Sequence, residues 1–331
     1  MRLSALDLVP VAEGVSSGQA IRHSLQLAEE LDRLGYQRLW YAEHHNMPAI
    51  ASTTPATMIA LAAARTRSLR IGSGGVMLPN HAPLQVAETF KMLEALHPGR
   101  IDLGIGRAPG TDQVTALALR RSREALLAND FPERLAELRE LGAGVRHTHP
   151  FVGVSAYPDD APLPPIWLLG SSDFSSALAA KLGLGFAFAA HFSPDRPELP
   201  MLAYRREFRA SEALAAPHAI LAVSVICADT EDEATRLASS MQLSWVRLRS
   251  GRPSRLPSPE TALSYPYTQT EAAIAQGYRQ LQIVGTPGQV RERIETLAER
   301  TRADEVMVTT VTHAFEPRVR SYQLLAAAFA D

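Results

Sequence analysis

Residues 69–106 read LRIGSGGVMLPNHAPLQVAETFKMLEALHPGRIDLGIG. A short apolar run, residues 69–77, gives way to a longer amphipathic one, residues 83–96, and after Pro98-Gly99 a second short apolar run follows, residues 100–106. Short apolar runs bounded by turn residues read as strands, and the longer run between them has the length and spacing of a helix. Strand, helix and strand in this order are the βα repeat of a parallel sheet, which sets the fold class as α/β.

The alternation continues in both directions. Upstream, residues 2–9 read as a strand and residues 18–34 as a helix, with Ile21, Leu25, Leu27, Ala28 and Leu31 near helical spacing and Gly35 at its end. Residues 38–42 form a second strand. Residues 53–64, TTPATMIALAAA, form a helix with a threonine cap and a proline in the first turn. Its small apolar surface predicts burial on more than one side, as a subunit interface would provide. Downstream, residues 113–141 read as helical with a break at Pro132, and residues 142–165 as a long loop. Further strands fall at 166–169, 185–190, 219–228 and 305–310, with helices at 175–182, 197–210, 230–248, 287–300 and 317–330. Residues 250–270, with Gly251, Pro253, Pro257, Pro259 and Pro266, read as an unstructured insertion of the lid type. Eight strands predict a single (β/α)8 TIM barrel domain over residues 1–331, with insertions after strands four and seven. A doubly wound open sheet is the alternative.

Bulk composition narrows the partners. With 46% hydrophobic and 21% charged residues, the chain can bury one large core. A net charge of −2 without a basic patch leaves no footprint for nucleic acid or anionic lipid, so a small molecule is expected instead. No apolar stretch reaches the ~18 uncharged residues of a membrane span, and the opening MRLSALDLVPVAEG lacks the basic start and cleavage site of a signal peptide. A soluble, cytoplasmic protein is expected. The sole cysteine, Cys227, excludes an internal disulfide and a cysteine metal cluster, and its setting AILAVSVICAD reads as a buried strand.

Parallel barrels place their chemistry where strands end, and four endings stand out. The second strand ends in Ala42-Glu43-His44-His45-Asn46, where one histidine can serve as general acid or base. Neighbouring residues of an extended segment point apart, so His44 and His45 are poor joint ligands for a metal, and no metal site is expected. The third ends in Gly72-Ser73-Gly74-Gly75, glycines that suit close approach of a flat ligand or of another backbone. The fourth ends in Gly106-Arg107-Ala108-Pro109-Gly110; Pro109 breaks any dinucleotide fingerprint, but the Arg107 guanidinium suits a phosphate. The fifth ends in Gly170-Ser171-Ser172 before a helix, an arrangement that can meet the same phosphate with hydroxyls and backbone N–H groups.

Taken together, AEHHN at 42–46, RIGSGGVMLPNHAPLQVAE at 70–88, HPGRIDLGIGRAPGTD at 97–112 and PIWLLGSS at 165–172 resemble the bacterial luciferase-like flavin monooxygenases. The resemblance implies a (β/α)8 barrel, a homodimer or heterodimer packed through early helices, with a homodimer expected here, and reduced FMN delivered by a separate flavin reductase. It further implies activation of O2 through a C4a-peroxyflavin to oxygenate a small organic substrate. Residue by residue it assigns His44 to acid/base work with Glu43 beside it, Gly74-Gly75 to a cis peptide under the isoalloxazine, and Arg107 and Ser172 to the phosphate. Phe188 and Phe192 would shape the substrate pocket, and residues 250–270 occupy the place of the family's mobile active-site loop. Two positions depart from luciferase: Ser171 replaces a glutamate and Gly106 a reactive cysteine, so a relative that emits no light is expected. The same barrel also hosts F420-dependent hydride transfer, one rival reading. A flavin-binding protein without catalysis and a metal-dependent hydrolase using His44 and His45 are the others.

Overall fold

A computed structural model describes residues 1–144 and 150–330. Eight parallel strands close a barrel: β1 (Arg2–Asp7), β2 (Arg38–Tyr41), β3 (Arg70–Ser73), β4 (Ile101–Gly106), β5 (Ile166–Gly170), β6 (Gly185–Ala189), β7 (Ala219–Cys227) and β8 (Glu305–Thr309). Each pairs with the next, and β8 closes the ring by pairing with both β7 and β1 in registers that set Glu305 beside Ile220 and Arg2. This is the predicted (β/α)8 barrel. Two short strands lie outside the eight: Val76–Met77 extends β3 along β4, and Gln282–Gly285 pairs with the far end of β7.

Strand periodicity divides the core. Outward-facing residues such as Leu39, Tyr41, Ile71, Leu103 and Val223 pack beneath the helices, while Leu6, Trp40, Trp167, Ala187, Ile220, Ala222 and Met307 fill the barrel. The lower end of the interior is polar. Arg38 donates to Glu305 at 2.7 Å and to Asp102 at 2.7 Å, and Arg70 reaches Asp102 at 2.6 Å. The Arg38 guanidinium also lies 4.9 Å from the Trp167 ring. These buried charges are mutually paired, which is the condition for tolerating them inside.

The glycines of β3 and β4 serve close packing between strands. A Cβ on Gly72 would stand 2.6 Å from the Asp102 carbonyl oxygen, one on Gly75 2.8 Å from that of Gly104, and one on Gly104 2.0 Å from that of Ser73. Cys227 is buried in β7 as expected, and burial pushes its thiol up to about 12. Among the described residues no helix is long and apolar enough to cross a membrane.

Three expectations need correction. The helix expected over residues 113–141 is three helices, Gln113–Arg120, Arg123–Leu127 and Phe131–Ala143. The first ends at Arg121 in the left-handed region (φ 67°), and Pro132 sits in the first turn of the third, where its missing N–H leaves no bond unmade. The loop expected over residues 142–165 therefore starts two residues late, and its residues 145–149 lie outside the described residues. The insertion at residues 250–270 is not unstructured. It contains the helix Pro259–Ser264, capped by Ser258, and the start of Gln269–Leu281, opened by a capping box of Thr268 and Glu271.

Candidate active site

The inward-facing row of each strand runs on past the strand's end, and those extensions build the site. Trp40 and Ala42 lead to His44, Leu6 to Leu8, Gly104 to Gly106, and Ala187 and Ala189 to His191. All of these except Gly104 line one cavity of about 240 Å³ at the C-terminal ends of the strands. The period of two thus selects His44 over its neighbour. The turn that follows β6 brings in His191, which the sequence reading passed over. The available signal was its place, two residues past the end of a barrel strand.

One end of the cavity faces anions. Arg107 stands at the mouth with its guanidinium 4.3 Å from the Phe174 ring, and among the described residues it forms no ion pair. Opposite lie Gly170, Ser171 and Ser172 at the N-terminus of the helix Asp173–Leu182. Ser172 occupies the cap position, yet its hydroxyl makes no capping bond. A cation without an anionic partner among the described residues, a hydroxyl that makes no capping bond and the positive end of a helix lie here, an arrangement that fits a phosphate. The surface salt bridge that would have explained Arg107 otherwise is absent among the described residues.

The other end is apolar and flat-walled, formed by Leu6, Trp40, Ala222, Met307 and Gly74. The Gly74-Gly75 peptide is cis, as the resemblance implied. Gly74 lines the cavity, whereas Gly75 packs on the Gly104 backbone and does not.

Glu43 is buried and lines neither this cavity nor its neighbour. Its Oε1 accepts from His81 Nε2 at 2.8 Å and His45 Nε2 at 3.0 Å, and its Oε2 from the Met77 amide at 3.0 Å. Burial alone would raise its pKa, but the bonds from His81, His45 and Met77 outweigh it and hold the carboxyl below the usual range. An ionised carboxylate only accepts, so both Nε2 atoms carry protons. Glu43 therefore locks the His45 ring away from the cavity and pins the loop after β2 to the Val76–Met77 strand. Thr111 and Asp112 fasten the same loop from the other side, through the His45 carbonyl at 2.8 Å and the Asn46 amide at 3.1 Å.

His44 and His191 face the cavity as neutral bases. Burial pushes the His44 imidazole down to about 4, with Glu43 pulling it up and His45 pushing it down. Burial likewise takes His191 down to about 4, helped by His44 and opposed by the Ala222 carbonyl. The Nδ1 atom of each ring is buried without a hydrogen-bond partner. Among the described residues no three His, Cys, Asp or Glu side chains converge as metal ligands.

A second cavity, about 290 Å³, adjoins the first and shares the wall of Leu8, His44, His191 and Phe192 with it. Phe192 is thus placed between the two. Phe188 is fully buried and reaches only the first.

The fold and these groups define a parallel barrel with an anion-facing cleft and a neutral histidine at the C-terminal ends of its strands. The family model for luciferase-like monooxygenases matches residues 1–305, and the chain belongs to that family. A luciferase-like monooxygenase of Escherichia coli strain K12 is 43% identical, over 97% of this chain and 95% of its own. The N-acetyl-S-alkylcysteine monooxygenase of Bacillus subtilis is 36% identical over 99% of this chain and 98% of its own. Among solved structures, apo-MsnO8 superposes with a TM-score of 0.90 at 37% identity, covering 99% of this chain and 98% of that one. The fold alone is shared, at 20% identity and TM-score 0.70, with a Pseudomonas putida Baeyer-Villiger monooxygenase constituent in complex with FMN, and, at 12% and 0.70, with an F420-dependent secondary alcohol dehydrogenase.

Proposed function

We propose that this luciferase-like monooxygenase binds reduced FMN in the first cavity, receives it from a separate reductase, and uses O2 to oxygenate a small organic substrate. The observation that carries this reading is Arg107, a cation without an anionic partner among the described residues, which lines one cavity together with Ser172 and His44. Arg107, Ser171, Ser172 and the helix N-terminus at Asp173 would hold the phosphate. Leu6, Trp40, Gly74, Ala222 and Met307 would pack the ring system and exclude water from it. When bound, the reduced flavin supplies the electrons that activate dioxygen. His44, neutral and with Nδ1 free, is the group placed to take up or return a proton beside the ring. Glu43 positions it by fixing the loop. A homodimer packed through the helices Pro55–Ala63 and Pro83–Leu96 completes the proposal.

Titration with FMN and with riboflavin, which lacks the phosphate, tests the assignment. Arg107→Ala should weaken FMN by about 10- to 100-fold, the equivalent of losing charge-assisted bonds of about 1.5–3 kcal/mol, and leave riboflavin unchanged. Equal binding of the two flavins, with Arg107→Ala indifferent to both, would remove the phosphate site. Oxygen uptake above the free-flavin rate then separates an enzyme from a flavin carrier.

A further inference from the structure

We propose that the second cavity is the substrate chamber and that it admits an uncharged, mainly apolar molecule with one hydrogen-bonding group, rejecting carboxylates and other anions. The inference rests on the flavin reading in one respect, that the occupant is the molecule oxidised.

Its position follows from the shared wall. An occupant of the second cavity meets the first across His44 and His191, the two groups able to move a proton between them. Ser224 of β7 and Thr309 of β8 contribute to its lining, and most of its walls come from segments outside the eight strands. Met47 and Ile50 belong to the loop after β2, Met241 and Trp245 to the helix Glu231–Arg249, and Leu256 and Tyr278 to the insertion after β7 and the helix that follows it. The Trp245 and Tyr278 rings stack with centroids 4.8 Å apart and planes within 22°, which gives one side a flat aromatic face.

Among the described residues no Asp, Glu, Lys or Arg side chain lines the chamber. Four arginines lie close by in sequence; Arg249 is exposed and does not line the chamber, and the other three are committed elsewhere. Arg247 pairs with Glu13 at 2.9 Å, Arg252 with Glu271 at 2.6 Å, and Arg255 donates to the Val15 carbonyl at 2.7 Å. An anion brought inside would lose its hydration and meet no cation in return. A neutral molecule would lose little. Three polar atoms of the lining are buried and without a partner, Thr309 Oγ1, His44 Nδ1 and His191 Nδ1, and a single carbonyl, hydroxyl or comparable group on the occupant would satisfy one of them. Neutral imidazoles at His44 and His191 add no charge to the wall.

Trp245 is a built-in reporter, so the test needs no flavin. The protein is titrated with hexyl methyl ketone and with octanoate, molecules of equal carbon count, while tryptophan fluorescence is followed; Trp245→Phe identifies the signal. The ketone should give a saturable change and octanoate a binding at least about tenfold weaker. Ser244→Phe, which fills the chamber, should abolish the ketone response and leave FMN titration unchanged, and Met241→Arg should reverse the preference. Octanoate binding as tightly as the ketone, or neither binding while FMN still does, overturns the proposal. Ketone binding with no binding of FMN would instead refute the flavin reading and leave the chamber's selectivity standing.

Discussion

At the scale of single residues, two adjacent histidines have opposite fates because a strand alternates its faces. His44 continues the inward row of Trp40 and Ala42, and His45 turns back onto Glu43. His44→Ala should lower turnover by about 10²- to 10⁴-fold with FMN affinity unchanged, as loss of a general acid/base would. Full turnover in that variant would take His44 out of the scheme. Charge behaviour follows from burial. His44 and His191 sit at about 4 in the folded chain against an ordinary 6.5, so the unfolded chain takes up protons first. Stability supplied by the neutral rings is full above about 6.5, declines as pH falls from there toward about 4, and is lost below that. Urea unfolding of the wild type and of a His44→Gln/His191→Gln variant across this window should show the steeper decline in the wild type. A Cβ on Gly106 would stand 2.9 Å from Met77 Sδ, near the flexible end of a side chain that can shift to admit it.

At the scale of elements, the contact between β3 and β4 is closer than side chains permit. Gly104→Ala would drive a Cβ to within 2.0 Å of the Ser73 carbonyl, and backbone on both sides leaves nothing flexible to yield. Thermal unfolding should show that variant lowered by more than an ordinary surface substitution, or not folded at all; an unchanged midpoint would contradict the packing argument. The glycines were legible in the sequence, but their partner was not: residues 72–75 fit a ligand floor as well as a neighbouring strand, and only Gly74 lines the cavity. The eight strands could be read because each is a short apolar run between turns. Residues 250–270 were misread because Gly and Pro dominated the reading, although Ser258-Pro259 and Thr268-x-x-Glu271 are helix-start signals in the sequence itself. The strand Gln282–Gly285 was missed because it is four residues long and directly continues a helix. The second cavity could not be foreseen, since its walls come from loops and helices distant in sequence.

At the scale of the whole molecule, the barrel separates its tasks by end. The lower interior is closed by Arg38, Asp102 and Glu305, and the upper end opens into two cavities that share His44 and His191. One lateral face remains to be covered. Leu61, Met92 and Leu96 stand 43%, 57% and 65% exposed on the helices Pro55–Ala63 and Pro83–Leu96, which pack side by side. The sequence predicted burial of the first helix on more than one side, and in the single chain its Thr57 and Leu61 face is open. Burying such a patch against its own copy is the simplest use of a self-complementary surface. Sedimentation velocity should therefore give twice the chain mass of 36.0 kDa, and a Leu61→Arg/Met92→Arg variant should run at the single-chain mass with its circular dichroism unchanged. A wild type that sediments as a single chain at micromolar concentration would refute the dimer while leaving the proposed flavin site, whose lining lies within one barrel, untouched.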